Sequence, residues 1–147
     1  MRIWATVISI LVVAGAPALA HKEEPLQELK ARVETTRLGD RPSLCIEIAK
    51  RQLKAADRLY TEGKVEEARA AVQDVVAYAE QATEAATKTG KKLKNTEIAV
   101  RKMAERLRDI KRSLNFEDQQ PVHDAAERLE HLRSQLLSKM FGSGSKD

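Results

Sequence analysis

From Leu93 to Leu114 a stripe that is apolar except for Thr96 falls at 93, 96, 100, 103, 107, 110 and 114. This spacing of three and four is the period of an α-helix with one wet and one dry face. The same spacing recurs in three other long segments. One carries Cys45, Ile48, Gln52, Leu53, Ala56, Leu59 and Tyr60; the next Val65, Ala68, Val72, Val75, Ala79, Ala82 and Ala86; the last Val122, Ala125, Leu129, Leu132, Leu136 and Met140. A shorter segment, from about Glu24 to Leu38, has Leu26, Leu29 and Val33 on one face. No segment alternates as a strand would. The pattern predicts an all-α fold: an up-and-down antiparallel bundle of four long helices plus a short N-terminal helix.

Gly and Pro punctuate these segments. Gly39-Asp40-Arg41-Pro42 separates the first two, and Asp40 is expected to cap the second. Gly63 and Thr87-Lys88-Thr89-Gly90 bound the third segment, which holds eight alanines between Ala68 and Ala86. Such small residues let a neighbouring helix approach closely. Asn115 to Gln120 reads as a turn, with Asp118 a cap and Pro121 an early helical residue. The short connections predict that consecutive helices are antiparallel. The hairpin from Leu59 to Ala68 resembles one tetratricopeptide turn in its order of aromatic, Gly, apolar and Ala. No second copy follows at the ~34-residue offset of that family, to which the chain is therefore not assigned.

The first twenty residues read differently. Arg2 is followed by an apolar run from Ile3 to Ala14, a break at Gly15 and Pro17, and Ala18-Leu19-Ala20. This is the pattern of a cleaved secretory signal peptide, too short to cross ~30 Å of hydrocarbon. The expected organisation is a leader over 1–20, a helical domain over 21–141, and a flexible Gly/Ser tail over 142–147. The expected location is periplasmic or secreted, with no transmembrane segment after cleavage.

Without the leader, 25 Lys and Arg stand against 22 Asp and Glu. That near-neutral balance, with few aromatic residues, argues against nucleic acid as a partner. Charge is uneven along the chain. Lys91 to Arg112 holds nine basic and three acidic residues, Lys64 to Thr87 two and five, and Glu117 to Lys139 three and five. As antiparallel neighbours these helices would be complementary, which disfavours swapped topologies. The basic run from Lys88 to Lys94 is a candidate contact for an anionic surface such as phospholipid headgroups or a cell-wall polymer.

Candidate ligands are few. His21, at the new N-terminus, offers an imidazole and an α-amino group to copper, but needs a second His, and only His123 and His131 are available. His123, Glu127 and His131 are spaced four apart, so each consecutive pair shares a helix face and can chelate a metal. The third lies about 80° round from the first, given ~3.6 residues per turn. The Glu-x-x-His pairs of a carboxylate-bridged di-metal bundle are absent, since Gln120 and Arg128 stand three before the two histidines. No cofactor is called for. Cys45 is the single cysteine, so no internal disulfide forms. No phosphate loop or nucleophile–base set is present, so no enzyme is expected. The expectation is a binding, scaffold or chaperone-like envelope factor whose partner is another envelope protein or a second copy of itself. The alternative is a metal-binding or metal-sensing protein using His21, His123, Glu127 and His131. A chaperone-like role would need apolar surface beyond the bundle seams, for which Ile46, Val76 and Ile98 are the spare residues.

Overall fold

The computed structural model describes residues 24–142. The leader, His21 and the tail after Gly142 lie outside the described residues. Five helices follow in order: α1 (Leu26–Val33), α2 (Arg41–Thr61), α3 (Val65–Thr89), α4 (Leu93–Ser113) and α5 (Phe116–Phe141). The described residues contain no strand.

Most boundaries follow local chemistry. Gly90 ends α3 in the left-handed conformation at φ 68°, its N–H donating to the Ala86 carbonyl at 2.8 Å. α1 stops at Val33, five residues before the sequence pattern runs out. The Thr35 and Thr36 hydroxyls donate to the Arg32 carbonyl, so these side chains compete with the helical ladder. Asp40 precedes α2 but its carboxylate caps nothing. It sits with helical angles (φ −99°, ψ −18°), held by a turn in which the Asp40 and Arg41 N–H groups both donate to Arg37. A side chain swings under the first N–H groups from an extended backbone, which Asp40 lacks.

α5 begins at Phe116, inside the stretch expected to be a turn, with Asn115 extended before it. A full turn of helix thus precedes Pro121. The ring removes one ladder bond, to the carbonyl of the exposed Glu117, and the helix absorbs that loss. Asp118 is no cap: it pairs with Arg69 of α3 at 3.1 Å.

The long helices form two antiparallel hairpins, α2–α3 and α4–α5. Gln52 Nε2 donates to Asp74 across the first at 2.5 Å, and Arg133–Glu97 (2.9 Å) and Arg108–Glu130 (3.2 Å) cross the second. Between hairpins the neighbours run parallel. Arg69 meets Asp118 near the starts of α3 and α5, and Glu80 meets Arg128 at 2.6 Å a few turns on. Ile46 faces Thr96 and Ala99 near the starts of α2 and α4, and Asp57 meets Arg106 further along. The order round the bundle is therefore α2, α3, α5, α4. α1 lies along the first hairpin, burying Leu29 and Val33 and linking Lys30 to Asp74 of α3 at 2.7 Å.

One core joins all five helices. Ala79, Ala82 and Ala86 line α3 where the other helices approach it, while Met103, Leu107, Leu129 and Leu136 fill the second hairpin. Burying such side chains is the dominant favourable term in folding. The sequence-predicted seams are the buried positions, apart from Leu26, Leu59, Tyr60, Leu93, Leu114 and Met140 near the helix ends, which are half-buried, as is Val65.

Candidate functional site

The helix order sorts the charge into two layers. α2 carries five basic and two acidic residues, and its parallel neighbour is the strongly basic α4. α3 and α5, both acidic in balance, form the other layer. α4 makes no ion pair with α3 among the described residues; its cross-helix partners are on α5 and α2. The complementarity expected on both sides of α4 is thus met by α5 alone of the two acidic helices, because α3 stands diagonally across the bundle from α4.

Between α2 and α4 lies a groove of about 210 Å³. Its floor is Ile46, Thr96 and Ala99, and Lys50 and Lys92 stand over it from opposite helices, with Ser43, Glu47 and Asn95. Helical register continues the two ridges to Lys54 and Lys102, and the Arg106–Asp57 pair closes the far end. The basic residues here divide by type. Every arginine from Arg51 to Arg133 is engaged by a carboxylate of this chain. Lys50, Lys54, Lys91, Lys92, Lys94 and Lys102 have no such partner and project into solvent. Guanidinium forks match carboxylates bidentately, whereas an ammonium is a hydrated point charge on a flexible stem. This surface offers diffuse positive charge over the length of two helices.

The sequence singled out only the Lys88–Lys94 part of this set. Lys50, Lys54 and Lys102 escaped because nothing in the chain shows that α2 and α4 are neighbours. The four-residue spacing of Lys50 and Lys54 was the available signal.

The histidine set does not assemble. His123 faces α4, where the Lys111 ammonium lies 3.5 Å from Nδ1. His131 lies on the α3 side, beside Thr87 and Gln135. Glu127 projects into solvent between them. The helical drift across eight residues has placed the two imidazoles on opposite seams of α5. Among the described residues no three His, Cys, Asp or Glu side chains converge as a metal cage. His21, the other candidate ligand, lies outside them.

Cys45 is fully buried, and loss of hydration pushes its thiol up from 9.0 to about 11. It is a small core hydrophobe, unreactive at neutral pH. Burial likewise raises Tyr60 and Tyr78. Among the spare apolar residues, Ile46 is buried and Val76 and Ile98 are half-buried, so none is an exposed surface for unfolded clients. A second groove, about 360 Å³, lies between α3 and α5 over Val72, Val76, Pro121 and Ala125, edged by Arg69 and Arg128. No described helix is long and apolar enough to cross a membrane.

Comparison with known proteins places the chain in no family: no family pattern, curated protein or solved structure matches it.

Proposed function

We propose that this chain is a small exported helical protein, periplasmic or secreted, that acts by binding rather than catalysis as an envelope scaffold or adaptor. The observation that carries the reading is the separation of paired arginines from unpaired lysines along the α2/α4 layer. The partner it suits is anionic, and the association is led by charge. The chaperone-like variant loses ground, since it needs apolar surface that Ile46, Val76 and Ile98 do not provide. Export rests on the leader pattern in the first twenty residues.

The test is capture from an envelope fraction by the protein beginning at His21. Retention is expected to fall at high salt, because exposed charges more than a Debye length apart are screened. It is expected to fall also in the Lys50→Gln/Lys54→Gln/Lys102→Gln variant. Capture indifferent to both, or repeated failure to capture anything alongside a measurable turnover, overturns the reading.

A further inference from the structure

The basic layer ends at the turn joining α3 to α4, and this end of the bundle gathers two properties. The first is unpaired positive charge from Lys91, Lys92 and Lys94. Lys92 is the only described non-glycine residue with positive φ, at 62°. The second is exposed apolar surface. Lys91 lays its stem across Gly39, where an added Cβ would meet Lys91 Cδ at 3.0 Å. That contact brings the α1–α2 turn alongside the lysines, and its Leu38 is 40% exposed. α5 finishes at the same end, since Ser138 and Lys139 share a surface hollow with Thr87 near the end of α3. Its Phe141 is 77% exposed. The other exposed large apolar side chain among the described residues, Phe116, is at the opposite end. Lys111 lies beside it, but so does Glu117, and Glu67 is at the same end; neither carboxylate is matched by a cation, and their charge would oppose an anionic surface.

We propose that the α3–α4 end docks peripherally on an anionic lipid bilayer. Leu38 and Phe141 enter the headgroup region, and Lys91, Lys92 and Lys94 lie against lipid phosphates. This rests on the reading of the chain as an exported, charge-led binding protein. A soluble polyanion would gain nothing from Leu38 and Phe141, whereas a bilayer interface takes apolar side chains and cations together. Lysine stems also suit this boundary, with methylenes against apolar surface and ammonium groups in water.

The test uses the chain from His21, which keeps the whole core and lacks the apolar leader. It is sedimented with phosphatidylcholine vesicles that contain or lack phosphatidylglycerol. Binding is expected only to the anionic vesicles. Each lysine near the surface contributes about fivefold. Lys91→Gln/Lys92→Gln/Lys94→Gln therefore lowers partitioning about 100-fold. Leu38→Ser/Phe141→Ser lowers it as well with the helical circular dichroism unchanged, and Lys50→Gln/Lys54→Gln/Lys102→Gln lowers it less than either. Equal binding to neutral vesicles, or none to anionic ones, overturns the proposal. So does inorganic polyphosphate binding as tightly as vesicles with Leu38 and Phe141 irrelevant, or a lysine-dependent dimer in their absence. If vesicles fail while capture from the envelope stays salt-sensitive, only the lipid assignment falls. If both fail, the wider reading falls with it.

Discussion

The α2/α4 and α3/α5 pairs are built alike and charged differently. Each is two long helices side by side, running the same way, joined across a groove. In α3/α5 the groove is bridged by Arg69–Asp118 and Arg128–Glu80. In α2/α4 it is bridged only by Arg106–Asp57, and Lys50, Lys54, Lys92 and Lys102 are left unmatched. The geometry of the pair does not decide its role; the choice of cation does. Arginine closes one interface within the molecule, and lysine leaves the other available to something outside it.

The largest test of this contrast is Leu129→Ala, which empties a fully buried site on α5. It is expected to destabilise the bundle by about 2–5 kcal/mol in urea titration. Lys50→Gln or Lys54→Gln should each stay within about 0.5 kcal/mol. A lysine variant as damaging as Leu129→Ala would show that the basic layer is structural. Next in size is Arg133→Ala. It strips the buried Glu97 of its 2.9 Å partner, leaving a more distant Arg101 at 3.6 Å, and is expected to destabilise the bundle less than Leu129→Ala but more than either lysine variant. A cost near zero would mean that the α4–α5 seam is as loosely held as the lysine groove.

Alkaline pH probes the dry side of α2. The folded Cys45 thiol holds its proton up to about 11 and the unfolded one up to about 9.0. Between these values the folded state binds more protons, so stability falls as pH rises from about 9 to about 11. The Cys45→Ala variant should show a shallower decline over that window. An equal slope would mean that the thiol is not the titrating group. The smallest effect is expected for Lys92→Gly. Relieving a left-handed non-glycine backbone is worth about 1 kcal/mol or less after the added chain entropy. The variant should be as stable as the parent, or more so, yet bind anionic vesicles less well. Loss of stability would show that Lys92 holds the turn together.

Much of this architecture was written in the residue spacing. Val100, Met103, Leu107 and Ile110 announce their buried stripe, because period and burial are both local to one helix. Pro121 misled, since proline favours a helix start but also tolerates the second turn when the orphaned carbonyl belongs to an exposed residue such as Glu117. Asp40 misled for a related reason: a capping residue type is of no use without the extended backbone a cap requires. The site was legible only in part. The run from Lys88 to Lys94 is contiguous and visible. The meeting of Lys50 with Lys92 depends on how one hairpin lies against another, which no stretch of chain encodes by itself. His123 and His131, each four residues from Glu127, looked like chelators in pairs with it, while the orientation of α5 turned His123 to one neighbour and His131 to another.

Segregation of charge between the two layers has a kinetic consequence. A body with positive charge on one broad side and negative on the other has a transverse dipole moment. In the field of an anionic surface it feels a torque before contact, and rotates during its approach. Encounters then arrive with the basic layer, and the α3–α4 end where it stops, turned toward the surface, so a larger share of them succeed. A uniformly charged bundle with the same net charge would feel the pull without the turn.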